Sequence, residues 1–209
     1  MRDKRLAFSM IELVMVIVVL GILSAMAIPN FKNDVRTGAR ENIYSALQYT
    51  RNLALIDNRT DPTDSKWQME LWHIAFSTTS EGYTYKIGSN LDHNTALKKE
   101  ECAIDPANGK YFYNVNGDTT IDADESPNVF LGKNFGVKDV IFKDGCSTGK
   151  YIAFDNLGRP FINGIYSPKI LYSSVMTRDC KIVVKFQDTD IKDLEFSIKK
   201  ETGFVEVVN

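Results

Sequence analysis

The chain has 209 residues, 44% of them hydrophobic, with 25 Lys and Arg against 27 Asp and Glu for a formal charge of −2. That balance excludes the electrostatic footprint of a nucleic-acid binder, and the length suits one globular domain with a real core. The three cysteines, Cys102, Cys146 and Cys180, stand far apart without a CxxC pair, which excludes a cysteine zinc or redox motif.

The first seven residues, MRDKRLA, set Arg2, Lys4 and Arg5 against one acid, Asp3. Phe8 to Ile28 follows, a 21-residue apolar stretch whose one ionisable group is Glu12, and Pro29 closes it. As a helix it reaches about 31 Å, the depth of a bilayer core. Three readings compete. A secretory signal peptide has a basic start, an apolar run of about 7–15 residues and a small-residue cleavage site. Ser24-Ala25-Met26-Ala27 could serve as that site, but the run is long. A plain single-span anchor, with its positive end in the cytoplasm, is the second. Neither explains the carboxylate of Glu12, since a charge near the membrane centre costs about 2.5–3.5 kcal/mol and is normally partnered.

The third reading is a resemblance. Lys4-Arg5-Leu6-Ala7, then Phe8-Ser9-Met10-Ile11-Glu12-Leu13, then the apolar run to Ala27-Ile28-Pro29, resembles the class III leader and first helix of bacterial type IV pilins and type II secretion pseudopilins. The resemblance implies that a prepilin peptidase cuts between Ala7 and Phe8 on the cytoplasmic side and that Phe8 becomes an N-methylated terminus. Glu12 takes the family's acidic fifth mature position. Its carboxylate would meet the terminal amine of a neighbouring subunit, each compensating the other in a low-dielectric filament core. Before assembly it can also snorkel toward the cytoplasmic face. One departure is Ala7, where the family usually has Gly, which implies slower cleavage. Without the leader the chain keeps 22 basic and 26 acidic residues, a charge of −4. The implied location is the bacterial inner membrane, single-pass, N-terminus cytoplasmic and head periplasmic, and then a pilus or pseudopilus.

Beyond Pro29 the apolar residues Phe31, Val35, Ala39, Ile43, Ala46, Leu47, Leu53 and Ala54 recur every three or four positions. This predicts an amphipathic helix to about Ile56, bent or interrupted at Pro29 and loosened near Gly38. Asn58-Arg59-Thr60-Asp61-Pro62 breaks it. A strand is predicted over Trp67–Phe76, with one slip in its alternation at Leu71-Trp72, and Tyr83–Ile87 as its hairpin partner. A short helix is possible over Ala96–Glu101. Short strands are predicted at Val129–Leu131 and Val140–Phe142, then at Tyr151–Phe154, Pro160–Ile162, Ile170–Ser174, Lys181–Phe186, Leu194–Ile198 and Phe204–Val207. The fold class is therefore α+β: a long N-terminal membrane-spanning helix packed on an antiparallel β-sheet or sandwich head, as in pilins. The segments are a leader at 1–7, the transmembrane half of the helix at 8–29, its amphipathic half at 30–57 and the head at 58–209.

Within the head, Tyr151-Ile-Ala-Phe154-Asp-Asn-Leu-Gly158-Arg159-Pro160 and, later, Leu194-Glu-Phe196-Ser-Ile198 followed by Thr202-Gly203-Phe204-Val205 are similar to the GspH/FimT-type pseudopilin domain. Gly158 and Gly203 suit turns that need positive φ. For the cysteines, Cys146–Cys180 is the favoured disulfide in an oxidising compartment, because both lie in the strand-rich C-terminal half.

Signals for chemistry are sparse. Gly145-Cys146-Ser147-Thr148-Gly149 has the G-x-S-x-G spacing of a nucleophile elbow, but a strand rather than a helix is predicted after it and no histidine follows residue 93. His73 in a strand and His93 in a loop have no partner motif. Residues 114–125 place oxygen side chains at loop positions 1, 3, 5, 9 and 12 and Ile121 at position 8, the spacing of an EF-hand-like calcium loop. Its ligands would be Asn114, Asn116, Asp118, Thr120, Asp122 and Glu125. Asn114 at the first position and Thr119 in place of the turn glycine depart from that pattern, and a solvated turn is the alternative.

These readings describe a structural minor pilin or pseudopilin, not an enzyme, with no required cofactor and a possible Ca2+. Its implied partners are other pilin subunits, the prepilin peptidase and an inner-membrane assembly platform. Two rivals stand beside it. One is a FimT-like minor pilin that binds DNA for natural transformation; Lys138, Lys143, Lys150, Arg159, Lys169, Lys199 and Lys200 are available for it but scattered, with a solvated surface as the alternative. The other is a membrane-anchored exported enzyme.

Overall fold

The computed structural model describes residues 10–208 apart from residues 95, 116, 148 and 163–171, and it gives no side-chain placement for residues 25–31 and 33. The first element, α1, is a 47-residue helix, Met10–Ile56. It carries the β-rich head on its second half. Ala39, Ile43, Ala46, Leu47, Thr50 and Ala54 are all buried, and their spacing of three or four is the apolar face expected from the sequence. Burying a side chain such as Ile43 or Leu47 contributes about 1.5–3 kcal/mol. Thr50 is tolerated on this face because its hydroxyl donates to the Ala46 carbonyl at 2.7 Å.

The helix departs from expectation at two points. Its assignment runs through Pro29 without interruption. Gly38 is a place of close approach rather than of loosening: a Cβ there would lie 2.8 Å from the Phe135 ring.

The head has two four-stranded sheets. In the first, β1 (Trp72–Thr79) lies between β2 (Gly82–Gly88) and β4 (Tyr151–Phe154), with β5 (Pro160–Phe161) at the far edge. In the second, β6 (Cys180–Phe186) lies between β3 (Val137–Asp144) and β7 (Leu194–Ile198), and β8 (Val205–Val207) closes the order β3-β6-β7-β8. All the pairings are antiparallel, which makes the described head an α+β unit. One core takes the inward residues of both sheets, including Ile74, Phe76, Ile152 and Phe154 from the first and Ile182, Val184, Phe196 and Val205 from the second, against α1. On the opposite face of the first sheet, Ala153 joins Trp67, Leu71 and Phe161 in a second cluster.

Several predicted elements are corrected. The strand over Trp67–Phe76 begins only at Trp72, because Trp67–Met69 is a 3-10 turn that seats Trp67 edge-on against Phe161. The slip at Leu71-Trp72 is therefore the boundary between turn and strand. Val129–Leu131 is not a strand: a 3-10 turn, Pro127–Val129, leads into the short helix α2, Leu131–Phe135. Pro127 opens that turn and Ser126 caps it by accepting from Asn128 N. The possible helix near residues 96–101 shrinks to a 3-10 turn, Lys99–Glu101. Of the strand over Ile170–Ser174, the first two residues lie outside the described set and Tyr172–Ser174 is a turn.

Two turns lock the head to the helix. In the first, the fully buried Asp155 accepts from Leu157 N and Arg159 N and is paired with the Arg159 guanidinium at 2.7 Å, so its charge is matched where water is excluded. That turn places Gly158 at φ 77°. In the second, Gly203 sits at φ 62° between β7 and β8. The two glycines meet: a Cβ on Gly203 would lie 2.1 Å from the Gly158 carbonyl. Arg51 of α1 bridges the pair, donating to the Thr202 carbonyl at 2.9 Å and setting its guanidinium 2.9 Å from where a Cβ on Gly158 would lie. Further along α1, Arg36 donates to the Lys192 carbonyl, and Lys32 lies 3.1 and 2.7 Å from the carboxylates of Asp188 and Asp190.

Candidate functional site

The first half of α1 is the feature that asks for a function. Twelve large apolar residues from Met10 to Leu23 are each 45–89% exposed, and they point in every direction around the helix. A helix that is apolar all round is stable only inside something apolar, whether lipid or a bundle of other helices. Glu12, also exposed, is the acidic residue in this helix's first turn. Among the described residues no helix is long and apolar enough to cross a membrane. The apolar run of the sequence, 8–28, is longer than its described side chains, which stop at Ser24. The cleavage and methylation residues Ala7 and Phe8 lie outside the described residues.

Cys146 and Cys180 are disulfide-bonded, with their Cα atoms 5.1 Å apart. The bond ties the end of β3 to the start of β6, where Asp144 and Cys180 already face each other in register. It also consumes the thiol within Gly145–Gly149, and the segment leads into strand β4 instead of the helix that a nucleophile elbow needs. Cys102 is buried, and burial pushes its thiol up to about 12, so it is no nucleophile at neutral pH. His73, fully buried between Gly88 and Ala153 in the first sheet, has its pKa pushed down to about 4 by desolvation. Its Nδ1 lies 2.9 Å from the Leu71 carbonyl.

The loop 114–125 holds itself together without drawing its acids to one point. The buried Asn114 donates to the Asp118 carbonyl at 2.8 Å and accepts from the Thr84 hydroxyl at 3.2 Å. Asp118 accepts from Thr120 N in a tight turn, and those bonds hold its carboxyl below the ordinary range. Asp122 and Asp124 lean toward Lys99, at 4.0 and 3.0 Å. The Glu125 carboxylate accepts from Asp122 N, and burial pushes its pKa up. Asn116 lies outside the described residues. Among the described residues Asp118, Asp122 and Glu125 form no group with metal-ligand spacing; the group that does is Asp64, Glu70 and His93. Sequence reasoning missed it because its members lie six and 23 positions apart on separate loops, with no motif linking them.

The basic residues considered for DNA are largely engaged. Lys199 pairs with Asp179 and Glu206, Lys200 with Glu201 and Arg159 with Asp155. Lys150 donates to the Tyr83 hydroxyl at 2.7 Å. Lys169 lies outside the described residues.

No curated protein and no solved structure matches the chain. Residues 2–28 match the prokaryotic N-terminal methylation motif, and the match covers the basic leader, Ala7, Phe8, Glu12 and the apolar run together. Over that segment the chain is type IV pilin-like, with the processing by peptidase and the assembly with other pilins that the motif implies in general.

Proposed function

We propose that this protein is a structural minor pilin or pseudopilin subunit of a type II secretion pseudopilus or type IV pilus. Its apolar segment, residues 8–28, sits first in the bacterial inner membrane with the head outside. After cleavage at Ala7 and methylation of Phe8 the same segment becomes the joint between subunits. The observation that carries this reading is one continuous helix: its N-terminal part matches the methylation motif and exposes apolar side chains all round, while its C-terminal part is fixed in a β-rich head. Glu12 is the assembly residue, neutralised in the filament by the terminal amine of a neighbour. The meeting of Gly158 and Gly203 beneath Arg51 supports the GspH/FimT-type assignment of the head, because two motifs distant in sequence act as one structural unit. The head does no chemistry and serves contacts with partner subunits or cargo.

Mass spectrometry of the mature N-terminus, in a host with its own prepilin peptidase, tests this directly. The expected product begins with N-methyl-Phe8. Intact Met1 on the membrane-bound protein, or a product cut after Ala27, would overturn the reading in favour of a plain anchor or a signal peptide.

A further inference from the structure

Away from the helix, three metal-binding side chains from separate segments converge. Asp64 lies in the connection after α1, Glu70 follows the Trp67–Met69 turn, and His93 stands in the loop after β2. One ligand atom from each lies within 4.8 Å of the other two, and His93 Nε2 is 2.8 Å from Glu70 Oε1. The histidine and glutamate side chains are only 22% and 26% exposed, so these groups have lost much of the water that would otherwise satisfy them.

The segments that carry the three donors are held by further hydrogen bonds. Lys66 N donates to Asp64 Oδ1 at 2.8 Å, and the Ser89 hydroxyl donates to the Glu70 carbonyl at 2.6 Å. Across the histidine loop Asn90 Nδ2 donates to the Asn94 carbonyl at 2.6 Å, while Glu101 accepts from Leu91 N and Asp92 N. His93 itself adopts φ 57°, a left-handed conformation uncommon for a residue with a side chain. The fold thus carries its histidine at a backbone angle that Gly or Asn would fill with less strain.

The geometry points to a divalent transition-metal site, zinc first, held by Asp64, Glu70 and His93. Two carboxylates and a neutral imidazole present a charge of −2 to a divalent cation. The imidazole favours zinc over calcium or magnesium, whose ligands are all oxygen, and the absence of thiolate disfavours copper(I). Zinc bonds of about 2.0–2.2 Å in a tetrahedral site set ligand atoms roughly 3.3–3.5 Å apart. Against separations of 2.8 Å for His93–Glu70 and up to 4.8 Å overall, binding would open the His93–Glu70 contact slightly and close the wider separations. Water takes the fourth position. The ion would pin the segment that leaves α1 to the loop that follows β2, a cross-link independent of the disulfide on the other sheet.

The test uses the full-length chain in detergent, stripped with chelator and then melted and titrated with Zn2+, Ca2+ or Mg2+. The expected result is one zinc per chain, a raised melting temperature with zinc and little with calcium, and a visible tetrahedral absorption band with Co2+. His93→Asn keeps the left-handed backbone but removes the imidazole. It is expected to melt normally without metal and to lose zinc affinity by at least roughly tenfold, with the cobalt band abolished. Glu70→Gln should weaken zinc in the same direction. The assignment is overturned if millimolar zinc leaves the melting temperature of the native chain unmoved, if calcium matches zinc, or if His93→Asn binds zinc as tightly as the native chain.

Discussion

From Met10 to Leu23 the large side chains of α1 are exposed on every side, whereas from Ala39 to Ala54 the same helix hides one face completely and leaves the other to solvent. The two halves share one continuous helix and differ in what they are built to touch. The second half owes its stability to the two sheets packed on it. The large apolar side chains of the first are left exposed by the described head, so what covers them comes from outside, as lipid or as other copies. A substitution should therefore act in one compartment of the molecule and leave the other untouched.

The largest separation is expected at Glu12. Glu12→Leu removes the one acid of the apolar run, and should nearly abolish incorporation into fibres while the melting curve of the head does not move. Fibres containing the variant at native level would break the link between the first half and assembly. Leu47→Ala is the mirror experiment. Leu47 is fully buried against both sheets, and its truncation should cost about 2–5 kcal/mol. At about 3 kcal/mol that is a fall of roughly 6–12 °C in melting temperature. Val16→Ala, in the exposed half, should leave head melting unchanged.

Next in size comes the disulfide. Cys146 and Cys180 are 34 residues apart, so the double Ser variant frees a long loop in the unfolded chain and should lose roughly 2–4 kcal/mol. Only the head should respond. A smaller effect follows from His73, whose folded pKa, about 4, lies below the ordinary 6.5. Between those values the unfolded chain binds a proton that the folded chain refuses. The contribution of this residue is thus fully present above pH 6.5 and is lost as pH falls from 6.5 toward 4. Head stability should fall across that window, and His73→Gln should flatten the slope. A raised carboxyl such as Glu125 works in the opposite sense, so the variant, and not the wild-type curve alone, is decisive.

The same contrast explains what could be read from the residues. The apolar run, Glu12 and the leader are linear signals, and Ala39, Ile43, Leu47 and Ala54 reveal their face because helical periodicity is local. The strands β4, β6 and β7 were legible because apolar residues cluster there between turn residues. Phe130 and Leu131 misled because they are buried by the tertiary fold while Pro127 and Gly132 shape the backbone; a short buried apolar run does not declare helix or strand. Trp67 misled in the same way, as an aromatic in a turn rather than a strand. The grouping of Asp64, Glu70 and His93 was beyond sequence because it exists only after three loops are folded together. Asp118, Asp122 and Glu125 show the converse: their spacing suggests one point, while in the fold Asp122 leans toward Lys99 and Glu125 accepts from Asp122 N.

The finest test sets two glycines of α1 against each other. A Cβ on Gly21 would meet nothing within 4 Å, while one on Gly38 would lie 2.8 Å from Phe135 Cε1, on the ring that α2 lays across the helix. Replacing Gly by Ala in a helix gains about 1 kcal/mol from backbone propensity alone. At Gly38 that gain is opposed by overpacking of about 1–3 kcal/mol, so Gly38→Ala should lower the melting temperature of the head slightly or leave it level. At Gly21 nothing opposes it, and Gly21→Ala should raise helicity without touching the head. The assembly readout then sharpens the comparison. If Gly21→Ala also reduces incorporation into fibres, the space around Gly21 in a single chain is filled in the filament by a neighbour's helix at close approach, and the first half is packed by protein as specifically as the second. If incorporation is unchanged, that half is held by apolar surface and by Glu12, with no demand for a small residue at this turn.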